Sequence, residues 1–215
     1  MPETRVLLLR HAETSAPDRF HGAESDVGLG ERGRRQAEAV AEILAAEGPD
    51  ALYSSAMRRA LETAAPIGRA AGLVPQVVEA LHERVMGPLS GRRREEGLDT
   101  YVEAKRRWMA GDLDFTHEGG ESFASIRRRV VPTLRALARR HPGQTIVVIA
   151  HGVVIRVALT SMLEGYGPED FDRIGIANTG VNDLRTDGER WRAVALNQAP
   201  EIATEEPPGL DPPSG

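Results

Sequence analysis

The chain contains no cysteine, so neither a disulfide framework nor a thiolate nucleophile is available to it. Lysine occurs once, at Lys105, so nearly all of the 27 basic residues are arginine. The formal net charge of -5 argues against a nucleic-acid binder, which usually presents a basic face. No apolar run approaches the roughly twenty residues that span a membrane, and the run at 6–9 is shorter than the roughly seven residues of a signal peptide. We therefore expect a cytoplasmic protein that contacts neither nucleic acid nor a membrane.

Two apolar segments of the chain each end in a histidine. Residues 6–9 are all apolar, which is typical of a central parallel strand buried on both faces, and Arg10 and His11 follow directly. Residues 145–150 form a second β-rich apolar run, which is followed by His151. In open α/β sheets ligands bind at the carboxyl ends of the parallel strands. The sequence thus indicates that the two histidines can meet at one edge of a sheet.

Strands and helices alternate along the rest of the chain. The spacing of apolar residues predicts helices from 31 to the stop at Gly48-Pro49 and at 57–71, 121–140 and 153–163, and strands at 50–54, 181–186 and 189–196. The last two strands are joined through Asp187-Gly188 and predict a hairpin at the sheet edge. Such alternation indicates parallel βαβ units. The predicted fold is α/β, a three-layer sandwich whose mostly parallel central sheet has helices on both faces.

The size and composition of the chain predict one domain and a tail. A chain of 215 residues with 40% hydrophobic content can bury one sizeable core, which we place at 1–199. Residues 200–215 hold five prolines, several acids and few large apolar residues, so a disordered tail is predicted there. Oligomeric state is left open, with the edge hairpin as a surface through which a homodimer could form.

Short polar motifs accompany the predicted strand ends. They are Arg10-His11-Ala12-Glu13-Thr14, residues 26–29 with Gly33-Arg34-Arg35-Gln36-Ala37, Ser54-Ser55 with Arg59-Ala60, Leu81-His82-Glu83 with Gly87 and Gly91, Gly120-Glu121-Ser122, and Ala150-His151-Gly152. In this order they resemble the signatures of the histidine phosphatase superfamily, which includes the cofactor-dependent phosphoglycerate mutases. The resemblance runs from about residue 5 to about residue 180 and implies a phosphoglycerate mutase-like fold. Two positions depart from it: Ala12 replaces the usual glycine, and Ala16-Pro17 stands where mutases usually carry Trp-Asn.

The resemblance implies a phosphatase that needs neither a metal nor a cofactor and acts on a small phosphorylated metabolite. Neutral His11 would attack phosphorus and form a phosphohistidine, while Arg10, Arg59 and His151 would neutralise the phosphate oxygens. Glu83 would protonate the leaving oxygen and then activate water. The missing Trp-Asn favours hydrolysis over mutase-type phosphoryl transfer, which remains the alternative.

Seven further residues are predicted to contact the substrate: Arg19, His21, Gly22, Arg58, Arg84, Gly152 and Asn178. Arg58 and Arg59 lie in the first turn of a predicted helix, where free N–H groups favour a bound anion. Two basic runs, at 92–94 and 105–107, are interpreted mainly as solvated helix faces. The alternative is that one or two of these side chains hold the far end of an anionic substrate.

Two other classes of function remain open from the sequence. His11, His151 and Glu83 could form a two-histidine, one-carboxylate metal site. Arg10 and Arg59 argue against that site, because two fixed cations beside a divalent ion are costly in a cleft of low dielectric constant. A non-catalytic module that binds a phosphorylated ligand is the second possibility, although binding alone requires neither a nucleophile nor an acid.

Overall fold

The computed structural model describes residues 2–200, along which strands and helices alternate as predicted. The strands are β1 (Thr4–Arg10), β2 (Ala51–Ser54), β3 (Gln76–Val77), β4 (Thr145–Ala150), β5 (Val181–Thr186) and β6 (Trp191–Gln198). The α-helices are α1 (Glu31–Ala46), α2 (Arg58–Ala71), α3 (Arg94–Met109), α4 (Phe123–Arg139) and α5 (Gly152–Met162). Apart from Pro200, the predicted tail at 200–215 lies outside the described residues. In the described part of the chain, no helix is both long and apolar enough to cross a membrane.

The six strands form one sheet in the order β3-β2-β4-β1-β5-β6. The pairs β2–β3, β2–β4 and β1–β4 are parallel, whereas β5 runs antiparallel to both β1 and β6. This arrangement confirms the mostly parallel sheet and the hairpin at its edge. In the β1–β4 pair Arg10 lies opposite Ala150, and the amide of His11 donates to the carbonyl oxygen of Ala150 at 3.0 Å. The residues that follow the two strands therefore begin side by side.

The two faces of the sheet pack against different helices, because successive side chains of a strand point to opposite faces. Leu7 and Leu9 of β1 pack against α1 and α2. Val6 and Leu8 of the same strand join a larger cluster with α4, α5 and Trp108 of α3. Each of these four strand residues is at most 2% exposed, and burying a side chain of this size contributes about 1.5–3 kcal/mol. The three-layer arrangement holds the carboxyl ends of β1, β2 and β4 in fixed positions.

Candidate active site

His11 follows the end of β1, and within residues 2–200 one of its ring nitrogens is hydrogen-bonded while the other has no partner. Its Nδ1 is 2.7 Å from the carbonyl oxygen of Ala12, and a carbonyl can only accept, so Nδ1 carries the proton of the neutral ring. Nε2 then keeps its lone pair. On the other side the Asn178 amide donates to the carbonyl oxygen of His11 at 3.0 Å. The backbone around His11 thus fixes the orientation that a nitrogen nucleophile needs.

The loop after His11 is fixed by side chains from the two helices on one face of the sheet. The amide of Ala12 donates to Thr63 Oγ1 of α2 at 3.0 Å, and the amide of Glu13 donates to Gln36 Oε1 of α1 at 2.8 Å. A Cβ atom on Gly33 would lie 1.9 Å from the carbonyl oxygen of Glu13, so α1 approaches the loop as closely as only glycine allows. Sequence analysis assigned no role in the site to Thr63 or Gln36.

His151 follows β4 and lies next to His11. The centroids of the two imidazole rings are 5.1 Å apart, and His151 is fully buried. Its Nε2 is 2.8 Å from Ser55 Oγ, at the end of β2. Its Nδ1 is buried and has no hydrogen-bond partner within residues 2–200. The two histidines thus meet at one sheet edge, as their positions after apolar strands predicted.

Arg10 and Arg59 place two more buried N–H groups in this region. One terminal nitrogen of Arg10 donates to the carbonyl oxygen of Ile176 at 3.0 Å. Arg59 donates to the carbonyl oxygens of Ser25 and Gly22 at 2.9 and 3.3 Å. The Nε atoms of both arginines are buried and lack a partner in the described part of the chain. Buried donors are rarely left unpaired, so these groups and His151 Nδ1 suit an anion with several acceptor oxygens.

Burial and the two arginines keep both histidines uncharged. The pKa of His11 is lowered well below its ordinary value, first by burial and then by the charges of Arg10 and Arg59. The pKa of His151 is lowered for the same reasons, with Arg59 the strongest charge. Burial lowers the pKa of Arg59 to about 10, against the opposing effect of Glu83, so Arg59 is still a cation at pH 7. The site combines a neutral imidazole with fixed positive charge.

Glu83 faces the same cleft and is 7% exposed. Its Oε1 accepts from the amide of Arg84 at 2.8 Å, and its Oε2 accepts weakly from the amide of Val153 at 3.4 Å. Val153 belongs to the first turn of α5, where unpaired amides point out of the helix. The carboxylate is therefore held by backbone donors, close to the charges of Arg10 and Arg59.

The cleft in front of His11 has a volume of about 500 Å³. Seven of the predicted site residues line it: Arg10, His11, Arg19, His21, Glu83, Gly152 and Asn178. Arg59 and His151 lie behind this lining, fully buried beside His11. The cleft is also lined by Tyr101 of α3 and Arg156 of α5, which the sequence did not single out. Arg156 lies one turn after Gly152 in α5, and residues four apart share a helix face. This spacing could have identified Arg156 as a cleft residue from the sequence.

Three residues that were predicted to contact the substrate do not line the cleft, and their contact with substrate stays a prediction. The guanidinium of Arg58 is exposed and pairs with Glu62 at 2.8 Å, one turn along α2. Arg84 is fully buried outside the cleft lining, with its guanidinium carbon 4.5 Å from the centroid of the Trp108 ring. Gly22 contributes its carbonyl oxygen to Arg59 and does not line the cleft.

The two basic runs have different surroundings. All three arginines of the first run are exposed, but Arg94, in the first turn of α3, lines the cleft, whereas Arg92 and Arg93 do not. In the second run Lys105 pairs with Asp172, and Arg106 and Arg107 both pair with Glu103. The interpretation as a solvated helix face therefore fits residues 105–107. Of the six basic residues in the two runs, Arg94 is the one that lines the cleft, so the alternative of substrate contact fits Arg94.

The alternative of a metal site has no support from the side-chain arrangement. Within residues 2–200, no group of three or more histidine, aspartate or glutamate side chains is arranged to hold a metal ion. The His11 Nδ1 proton is committed to a carbonyl oxygen, and the ring lies among arginines. The donor set around His11 matches an anion rather than a cation.

The two buried histidines predict a pH dependence of folding stability. Both have a pKa lowered in the folded protein, so below about pH 6.5 the unfolded chain binds more protons and stability falls as pH falls. Each histidine contributes a slope of up to about 1.4 kcal/mol per pH unit between the unfolded and folded pKa values. Urea unfolding at pH 7.5, 6.5 and 5.5 measures this slope. His11→Gln should remove the contribution of His11 and leave those of His151 and of His21, whose pKa is also lowered, first by burial. An unchanged slope would contradict the lowered pKa of His11.

Comparison with known proteins places this architecture in a family. Residues 6–199 match the histidine phosphatase superfamily (branch 1). Phosphoserine phosphatase 1 of Hydrogenobacter thermophilus is 33% identical over 195 residues, which cover 90% of this chain and 92% of that protein. A metal-independent phosphoserine phosphatase of Arabidopsis thaliana is also 33% identical, covering 87% of this chain and 79% of that protein.

A solved structure has the same fold over almost the whole described chain. The structure of mycobacterial glucosyl-3-phosphoglycerate phosphatase matches with a TM-score of 0.79 at 28% identity, covering 92% of this chain and 100% of that one. The motifs, the fold and these relatives all indicate the same family. The chain belongs to the histidine phosphatase superfamily, branch 1, and the prediction of a phosphatase of that superfamily is confirmed.

Proposed function

We propose that the chain hydrolyses small phosphomonoesters through a phosphohistidine on His11, without a metal. The proposal is carried by the buried N–H donors of Arg10, Arg59 and His151, which have no partner among the described residues. They lie beside a neutral imidazole whose Nε2 keeps its lone pair. A phosphoryl group supplies the several acceptor oxygens that these donors lack. Its phosphorus is shielded by negative oxygens, so a nucleophile needs fixed positive charge around it.

In the first step His11 Nε2 attacks phosphorus in line with the leaving oxygen. The nitrogen–phosphorus bond forms as the phosphorus–oxygen bond breaks. Glu83, which takes up a proton from solvent when the anionic substrate binds beside it, gives that proton to the departing oxygen. The Nδ1 proton stays on the ring, held by the carbonyl oxygen of Ala12. Arg10, Arg59 and His151 bind the three remaining phosphoryl oxygens.

In the second step water cleaves the phosphohistidine. The Glu83 carboxylate accepts a proton from water as its oxygen attacks phosphorus, and the electron pair of the nitrogen–phosphorus bond returns to Nε2. Inorganic phosphate leaves, while neutral His11 and protonated Glu83 are regenerated. The same carboxylate therefore acts first as an acid and then as a base.

The part of the cleft beyond the phosphate site favours a substrate with a second negative group. Arg94 and Arg156 both line it, and each lowers the pKa of Arg10 through its charge, although burial of Arg10 is the largest cause of that shift. Arg94 makes no ion pair with any residue that the structure describes. Relatives are named for phosphoserine and glucosyl-3-phosphoglycerate, whose phosphate-bearing units also carry a carboxylate. We propose a phosphomonoester with a carboxylate as the substrate class.

The proposed function and substrate class are tested by measuring phosphate release in EDTA from two esters, one with a carboxylate and one without. 3-Phosphoglycerate and glycerol 3-phosphate differ mainly in the carboxylate, and we expect the acid to be preferred. Arg94→Ala should raise KM for the acid about tenfold, because one charge-assisted contact is lost, and should leave KM for glycerol 3-phosphate nearly unchanged. Arg93→Ala, a neighbouring arginine outside the cleft, is the matched control. Turnover that requires an added divalent metal would contradict the proposed function, and equal effects on both esters would contradict the substrate class.

A further inference from the structure

Ser55 lies at the junction of β2 and the active site, in contact with His151. Its backbone amide donates to the carbonyl oxygen of Ile149 at 3.0 Å, which fixes it beside the end of β4. The residue is fully buried. Its Oγ is 2.8 Å from His151 Nε2 and 3.3 Å from the amide nitrogen of Met57. These are the two hydrogen-bond partners of the hydroxyl oxygen within the described residues.

The direction of the Ser55–His151 hydrogen bond follows from counting protons. The amide of Met57 can only donate, so it uses one lone pair of Ser55 Oγ. The hydroxyl proton of Ser55 must then find an acceptor, and His151 Nε2 is the one within reach in the described part of the chain. If Nε2 carried the ring proton, the buried hydroxyl would have nothing to donate to, which is costly. Ser55 therefore donates and Nε2 accepts.

This direction determines where His151 carries its own proton. Because burial and the nearby arginines keep the ring neutral, an accepting Nε2 requires the proton to lie on Nδ1. Nδ1 is the buried atom without a partner, in a ring whose centroid is 5.1 Å from that of His11. The opposite tautomer would turn a lone pair toward the negative oxygens of a bound phosphoryl group. Only the Nδ1–H tautomer makes His151 a donor there.

We propose that Ser55 is a positioning residue that sets the tautomer of His151 and thereby makes its Nδ1–H a donor to the phosphoryl group. The proposal rests on the proposed function, because it assigns the consequence of the tautomer to phosphoryl binding. Ser54, the preceding residue, provides a matched control. Its hydroxyl is equally buried but donates to the carbonyl oxygen of Ser55 at 3.0 Å and does not contact His151.

The tautomer can be read directly in the resting protein. Two-dimensional ¹H–¹⁵N NMR of the histidine ring nitrogens distinguishes a protonated from an unprotonated nitrogen, and comparison with His151→Ala assigns the signals. We expect the His151 proton on Nδ1 in the natural chain and in Ser54→Ala, and a mixture of tautomers in Ser55→Ala. A proton on Nε2 in the natural chain would overturn the proposal, even if Ser55→Ala did not fold.

Kinetics separate a positioning role from a merely structural one. Ser55→Ala should lower kcat/KM for phosphate release about tenfold, the size of one buried hydrogen bond, while Ser54→Ala should stay within about twofold. In a His151→Ala background the Ser55→Ala substitution should have no further effect beyond about twofold, because its target is gone. Ser55→Thr retains the hydroxyl and should keep the Nδ1–H tautomer.

The results of these experiments distinguish a failure of the role proposed for Ser55 from a failure of the proposed phosphatase function. Equal losses for Ser54→Ala and Ser55→Ala, or an additive effect in the His151→Ala background, would overturn the role of Ser55. The NMR experiment requires no turnover. Loss of the proposed function would appear as absent phosphate release in the natural chain with the His151 tautomer unchanged.

Discussion

Replacing His11 by alanine is expected to reduce kcat for phosphate release by on the order of 10⁴-fold or more, measured in EDTA. In the proposed function the imidazole of His11 is the nucleophile, and the carbonyl oxygen of Ala12 holds the Nδ1 proton so that Nε2 keeps its lone pair. The arginines and His151 stay in place, so binding of inorganic phosphate should survive. A large loss of kcat with retained phosphate binding separates the loss of chemistry from the loss of the anion site.

The covalent intermediate gives this prediction a second measurement. A ³²P-labelled substrate quenched in alkali should leave label on the natural chain, and the label should be lost in acid, which hydrolyses phosphohistidine. His11→Ala should carry no label. His141→Ala is the matched control, because this histidine lies outside the cleft and bonds to the Tyr53 hydroxyl at 2.8 Å. Acid-stable label, or equal labelling of His11→Ala, would contradict a phosphohistidine on this residue.

The positions of His11 and His151 could be predicted from the sequence because they depend on local rules. An apolar run that ends in a polar motif marks the end of a buried strand, and parallel strands end at the same edge. The structure places β1 beside β4, so the two histidines meet. The sequence carries no such rule for the order of all six strands, and that order followed from the family resemblance only in outline.

The sequence does not show which arginines lie in the active site. Nearly every cation of the chain is arginine, so the residue type alone does not separate a phosphate ligand from a surface ion pair. Arg58 and Arg59 are adjacent on α2, yet one faces solvent and Glu62 while the other is fully buried beneath the cleft. The 3.6-residue period of a helix turns neighbours by about 100°, and only packing determines which of them faces inward.

Residues that support the site were also beyond prediction from the sequence. Thr63, Gln36 and Ser55 each bond to a group 23 or more residues away along the chain. Single polar residues leave no periodic signal, and their partners become neighbours only after the sheet and its helices have packed. The bounds of α3 were not predicted for a related reason, since only Gly97, Ala104 and Trp108 of its sixteen residues are buried. A helix with so narrow an apolar face has little amphipathic pattern.

Replacing Glu83 by glutamine should lower kcat for alkyl phosphates by about 10²- to 10⁴-fold, the usual contribution of general acid–base catalysis. Glutamine keeps the shape, and its single side-chain oxygen can still accept from the backbone amide of Arg84. It loses the weak contact with the amide of Val153 and cannot give a proton to the leaving oxygen. An aryl ester such as 4-nitrophenyl phosphate needs that proton far less, because its leaving group is stable as an anion. The loss in the phosphorylation step should therefore be much smaller for the aryl ester.

The aryl ester should also reveal the second task of Glu83. Without a base to activate water, hydrolysis of the phosphohistidine becomes rate-limiting in Glu83→Gln, and rapid mixing should show a burst of nitrophenolate followed by slow turnover. Glu13→Gln is the matched control: its carboxylate lines the same cleft but pairs with Arg32 at 3.1 Å, and kcat should change less than about threefold. Equal losses for alkyl and aryl esters without a burst would show that Glu83 does not act as both the acid and the base. A burst together with a selective loss for alkyl esters requires one group to serve both steps, and Glu83 is the carboxylate held by backbone donors beside Arg10 and Arg59.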